Sequence, residues 1–127
     1  MFVDSSFWVA ISDDRDQWHS RAVAIRQHVV SGVKVLDFGV SESLTIVGSR
    51  KGGKPAQRLY EVFRDSCTIL YVDSELLEAA MERHLKHDGQ LSVADCATVE
   101  AMIQTDDRNI LSFDSDFDLV RGLSRLH

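Results

Sequence analysis

The 127-residue chain has little of what breaks or cross-links a fold: one proline, seven glycines and two cysteines. With a single proline, Pro55, and no low-complexity tract or repeat, no linker long enough to divide the chain is present, and one domain over residues 1–127 is expected. Cys67 and Cys96 sit in apolar contexts without metal-ligand spacing and read as free thiols of a cytoplasmic protein. A chain of this length buries roughly two thirds of its unfolded surface, so folding requires neither a disulfide nor a structural metal. No apolar run approaches the ~18–20 residues of a membrane span, and the opening Met1-Phe2-Val3-Asp4 lacks the basic start of a signal peptide. Positive charge is scarce too: 14 Lys and Arg against 20 Asp and Glu leave a net charge of -6. Bulk attraction to a nucleic-acid backbone is thereby excluded as a main binding mode. A phosphate partner would have to be met by a local basic patch or through metal ions.

What the chain does have is an alternation of short apolar runs with longer helical stretches. The runs are FV at 2–3, VKVL at 33–36, TILYV at 68–72 and NILSF at 109–113, each rich in β-branched or aromatic residues. LSRL at 123–126 suits a fifth strand at an edge. Between the runs, Trp18, Ala22, Ile25 and Val29 keep a helical period. So do Leu59, Val62 and Phe63, then Leu76, Ala80, Met81 and Leu85, then Val93, Ala97 and Ala101. Strands alternating with helices of that length need crossover connections, which predicts an α/β fold with a mostly parallel sheet covered on both faces.

Four of the runs end in aspartate: Asp4, Asp37, Asp73 and Asp114. Ligands of open parallel sheets bind outside the carboxyl ends of strands, where strand order reverses, so a strand-end acid is well placed for chemistry. It is equally well placed to cap the following helix. Two more acids stand out. Glu42 falls in the first turns of the helix predicted after the second run, where the helix dipole alone would favour it. Asp95 lies in LSVADCATVEAMI, and Ser92-Val93-Ala94-Asp95 has the form of a capping box. The small and apolar neighbours of Asp95 suggest that its carboxylate is held against the sheet, where it would want a cation.

The opening FVDSSFWVAI, the isolated helical Glu42, the LSVADC segment and the closing ILSFDSDFD together resemble the PIN-domain nucleases, and among them the short VapC-type toxins of prokaryotic toxin–antitoxin pairs. The resemblance spans essentially the whole chain in order. It implies a three-layer α/β/α domain with about five strands, and an acid quartet, Asp4, Glu42, Asp95 and Asp114, that binds Mg²⁺ or Mn²⁺ and cleaves RNA. Asp116 is the alternative fourth acid, and Ser6 and Ser112 fall at supporting polar positions, Ser6 where asparagine is more usual. If the first and fourth strands are central neighbours, Asp4 and Asp114 meet, while Asp37 and Asp73 end strands further out and return to capping. The resemblance also implies a homodimer restrained by a small VapB-type antitoxin.

Other features carry less. GSRKGGKPAQR at 48–58 holds Arg50, Lys51, Lys54 and Arg58, candidate contacts to RNA or a partner, or simply a solvated interhelical loop. Asp13, Asp14 and Asp16 read as a loop and cap. Trp8 and Trp18 read as core or interface residues rather than base-stacking platforms. His84 and His87 lack the further ligands that zinc needs. A receiver-like signalling module also uses strand-end aspartates with Mg²⁺, but it wants an acidic pair after the first strand and a lysine after the last. Here Ser5 and Ser6 follow Asp4, and the last lysine is Lys86. A catalytically silent PIN scaffold is the remaining alternative.

Overall fold

In the computed structural model, which describes residues 1–127, each apolar run of the sequence becomes a strand. They are β1 (Phe2–Val3), β2 (Val33–Leu36), β3 (Cys67–Leu70), β4 (Asn109–Leu111) and β5 (Ser124–Leu126). Six helices lie between them: α1 (Ser5–Ser12), α2 (His19–Ile25), α3 (Asp37–Lys51), α4 (Gly53–Ser66), α5 (Ser74–Lys86) and α6 (Val93–Gln104). The strands form one sheet in the order β3-β2-β1-β4-β5, every pairing parallel. β1 pairs with β2 on one side (Phe2 with Lys34) and with β4 on the other (Phe2 with Ile110, Val3 with Leu111). Strand order therefore reverses between β1 and β4, at the centre of the sheet.

The period-two alternation of the strands sorts the core into two layers. Phe2, Leu36 and Ile110 point to one face, where Leu76 and Ala80 of α5 and Ala97, Ala101 and Met102 of α6 cover them. Val3, Val35 and Leu111 point to the other, under Phe7 and Trp8 of α1, Ala22 and Ile25 of α2, Val47 of α3 and Leu59 and Phe63 of α4. The result is the expected three-layer α/β/α arrangement, with helices from both faces converging on the carboxyl edge of the sheet.

Two details differ from the sequence reading. Two strands stop short: β3 runs only from Cys67 to Leu70, so Tyr71 and Val72 lead out of the sheet, and β4 ends at Leu111, so Ser112 and Phe113 do the same. The glycine-rich stretch 48–58 is not an open loop: α3 continues through Lys51 and α4 begins at Gly53. Only Gly52 intervenes, at φ +99, a backbone conformation that side-chain-bearing residues rarely adopt. The reason is cooperative. Two helices packed side by side satisfy their backbone groups almost continuously, and one glycine suffices to reverse direction.

Candidate active site

The adjacency of β1 and β4 places the two strand-end acids together. The Asp4 N–H donates to the Leu111 carbonyl at 3.0 Å, continuing the ladder one residue beyond β1. Asp4 then caps α1, accepting from the Ser6 N–H at 3.2 Å, and Asp114 accepts from the Asp116 N–H at 2.9 Å across the turn after β4. Capping and placement in the site coexist in both residues, because a strand-end acid that caps a helix also stands at the mouth of the sheet.

A set of hydroxyls orients Asp4. Its Oδ2 accepts from Ser6 Oγ at 2.6 Å and from Ser112 Oγ at 2.9 Å, in addition to the Ser6 N–H. Ser6 Oγ accepts in turn from the Phe113 N–H at 3.0 Å, and fully buried Ser112 accepts from the Asp114 N–H at 3.0 Å. Three donors thus occupy Oδ2, while Oδ1 has only the Ser5 hydroxyl at 3.4 Å and remains available to a ligand. The Ser6 hydroxyl thus reaches both the Asp4 carboxylate and the backbone just after β4.

Asp95 arrives from the other layer. Ser92 caps α6, its hydroxyl accepting from the Asp95 N–H at 3.0 Å, so the capping-box reading holds for the backbone. The side chain faces the cleft. Carboxylate oxygens of Asp95, Asp114 and Asp116 lie within 4.8 Å of one another. The Asp95 carboxyl is pushed up to about 6, by burial first and then by the charges of Asp4 and Asp114, against hydrogen bonds with Ser92. Unit charges at 4 Å repel by about 4 kcal/mol at an effective dielectric near 20, so such a cluster is costly unless protons or cations neutralise it. All of its donors are hard carboxylate oxygens, the set that suits Mg²⁺ or Mn²⁺ rather than zinc.

Asp4, Glu42, Asp95, Asp114 and Asp116 all line one cleft of about 920 Å³. Glu42 is exposed on α3 and stands outside the closest three acids. Asp73 caps α5 through the Leu76 N–H at 2.8 Å, as expected, and takes no part in the cleft. Asp37 departs from expectation. Leu36 holds the cap position, and the Asp37 carboxylate instead accepts from the Phe38 N–H at 3.0 Å and the Val72 N–H at 3.1 Å, joining the ends of β2 and β3.

The basic residues separate. Arg50 lines the cleft but is held by Asp16 at 2.9 Å and Asp13 at 3.5 Å. Lys51 pairs with Asp14 at 3.2 Å. Lys54 lies on α4 away from the cleft, and Arg58 lines a separate apolar groove with Trp8, Ile11 and Pro55. Asp13, Asp14 and Asp16 are therefore more than a loop and cap: they anchor the end of α3. His84 contacts the Leu91 carbonyl through Nδ1 at 2.6 Å. Of the two placements expected, core or interface, Trp8 takes the core, whereas Trp18 is not buried. It is 42% exposed and lines the cleft. Asp16 and Trp18 were missed as cleft residues because no local pattern reports which way the α1–α2 loop folds.

The PIN domain family model matches residues 1–123. The 23S rRNA-specific endonuclease VapC20 of Mycobacterium tuberculosis, from two strains, is 28% identical over 123 residues, covering 92% of this chain and 91% of the relative. The crystal structure of M. tuberculosis VapC20, a sarcin-ricin loop cleaving toxin, superposes with a TM-score of 0.86 at 24% identity, over 96% of this chain and 95% of that one.

Proposed function

The chain belongs to the PIN-domain family, and on that premise we propose that it is a metal-dependent endoribonuclease, the toxin of a toxin–antitoxin pair. The observation that carries the reading is the convergence of Asp95, Asp114 and Asp116 within 4.8 Å in a cleft that Asp4 and Glu42 also line. Similarity to VapC20 supports RNA as the substrate.

In this reading Asp95, Asp114 and Asp116 would hold a Mg²⁺ or Mn²⁺ ion together with Asp4. A cation bound there would polarise the phosphodiester and lower the pKa of a water for in-line attack. The chain's own part is preorganisation. Ser6 and Ser112 fix the Asp4 carboxylate by occupying Oδ2, which leaves Oδ1 with a single long contact from Ser5. The Ser92 cap fixes the start of α6 and hence the position of Asp95. Glu42 presents its carboxylate from the α3 wall of the same cleft. The acids also explain how a protein of charge -6 meets RNA: neutralised by cations, they invert the local field.

The same reading includes a homodimer, a small VapB-type antitoxin over the cleft, and action in the cytoplasm. No helix is long and apolar enough to cross a membrane. Leu77, Met81 and Leu85 form an exposed apolar row on α5, 40%, 47% and 79% accessible, the kind of face that a second copy covers.

The test is incubation with assorted RNAs in Mn²⁺ or in chelator, followed by mapping of cut sites. Cleavage is expected only with the cation, and is expected to vanish in folded Asp4→Ala, Glu42→Ala, Asp95→Ala and Asp114→Ala variants. Activity in excess chelator, or after loss of Asp4, would refute the metal-nuclease reading. Expression of the parent without a partner should arrest growth and the Asp95 variant should not; equal growth of both would remove the toxin part alone.

A further inference from the structure

Resting on that nuclease reading, we propose that the open face of Trp18 stacks an unpaired base of the RNA beside the phosphate to be cut, so that cleavage requires an unstacked nucleotide at that position.

Trp18 is tied to the acid site from two sides. Its ring lies parallel to that of Phe113, with centroids 5.3 Å apart and planes 8° from parallel. Phe113 is buried and immediately precedes Asp114. One face of the indole is thus covered by the residue next to a metal-site acid, while the side chain as a whole remains 42% exposed. On the other side Asp16 links Trp18 to the α3 wall: its Oδ1 accepts from the Trp18 N–H at 2.8 Å and its Oδ2 from Arg50 Nη1 at 2.9 Å.

The α3 wall has a regular spacing. Phe38, Glu42, Ile46 and Arg50 all line the cleft, one per helical turn, so Arg50 stands about 12 Å along the helix from Glu42. Trp18 and Arg50, linked through Asp16, therefore share one cleft with the converging acids, and Trp18 lies on the side of Phe113 and Asp114.

That layout answers a physical problem. An acidic chain gains no affinity from bulk charge, and cation-bridged acids grip only the phosphate. Stacking of a base on an aromatic face adds affinity without requiring charge or a particular sequence, because every base has a π-face. The Trp18 ring, already stacked on Phe113, loses little further freedom when a base covers it, which is the advantage of a preformed platform.

The chain has two tryptophans, which makes the test spectroscopic. Trp8→Phe leaves Trp18 as sole reporter; the Trp8 indole nitrogen is buried without a hydrogen-bond partner, so the change forfeits no bond. In this background, combined with Asp95→Asn to suppress turnover, a short single-stranded RNA should quench Trp18 emission saturably. Scanning abasic positions along the RNA should find one, next to the cut, that removes the quenching and weakens binding about 10-fold. Trp18→Ala should weaken binding by a similar factor and make intact and abasic RNAs equivalent, and Trp18→Phe should restore part of the difference. Trp18→Ala that binds and cuts as the parent does, or retains the same abasic sensitivity, overturns the proposal. So does emission that answers only to a protein partner. Quenching that depends on Trp18 without any cleavage in Mn²⁺ would uphold the platform and refute the nuclease reading; cleavage indifferent to Trp18 would do the reverse.

Discussion

Replacing Asp95 by asparagine should make the cation-free protein more stable, not less. In the folded chain the carboxyl is pushed up to about 6 from 3.8, by burial and by the charges of Asp4 and Asp114. Between those two values the native state binds the extra proton, so stability falls as pH rises through the window and the penalty is complete above it. At 1.36 kcal/mol per factor of ten the ceiling is about 3 kcal/mol, which partial solvent access reduces to about 1–2 kcal/mol. Asparagine keeps the shape and removes the charge. At pH 7.5 in chelator the variant should melt roughly 3–8 °C above the parent, and near pH 4 the two should converge. The comparison is clean because the other shifted carboxylates act lower. Asp107, for example, is partly desolvated, yet hydrogen bonds from the terminal ammonium and Lys34 hold it at about 2. The same substitution should shrink the stabilisation by Mn²⁺, which for an intact site reaches about 2.7 kcal/mol at a hundred times Kd. The assay is a melting-temperature matrix of pH against Mn²⁺ at constant ionic strength. A variant that melts lower in chelator at pH 7.5, yet gains as much from Mn²⁺ as the parent, would return Asp95 to a purely capping role.

Three further outcomes follow from the geometry. Ser112→Ala removes a buried hydroxyl that donates to Asp4 and accepts from the Asp114 N–H; it should cost about 1–3 kcal/mol in denaturant unfolding and reduce cleavage about 10–100-fold, and an unchanged rate would show that Asp4 needs no orientation. Asp73→Ala should cost about 1 kcal/mol by uncapping α5 while leaving cleavage intact; a dead enzyme would contradict its position outside the cleft. Proton competition at Asp95 should weaken apparent Mn²⁺ affinity as pH drops below about 6, visible in titrations at pH 5.5 and 7.5; affinity that does not change between them would show that Asp95 is not a ligand.

The architecture was legible because its signals are local. β-branched runs such as VKVL and the four-residue spacing of apolar positions in α5 report period and hence element type, and alternation of the two implies a parallel sheet. The acids were legible as candidates for a related reason: strand ends and first helical turns are positions that the local pattern itself defines. Local pattern is silent on which of several equivalent positions meet. Asp4, Asp37, Asp73 and Asp114 all end apolar runs, and only the strand order β3-β2-β1-β4-β5 separates the central pair from the outer two. The resemblance anticipated that order; periodicity alone could not.

Other features were settled by packing between segments distant in sequence. The stretch 48–58 looked like a loop because glycine and proline are frequent turn formers, yet α3 and α4 take almost all of it once they pack together. Trp18 read as core or interface from the sequence; the way the α1–α2 loop lies over Phe113, fixed by Asp16 and Arg50, sets its exposure. The elevated pKa of Asp95 has the same origin, for it depends first on burial of the carboxyl and then on charges 91 residues before it and 19 after it in the chain. By itself, then, the sequence determined the element types, the layered class and the inventory of acids, because these rest on periods of two to four residues. Tertiary structure decided which acids converge, which arginine reaches the cleft and which tryptophan faces it, because electrostatic coupling and exposure depend on distances in space that no short-range pattern encodes.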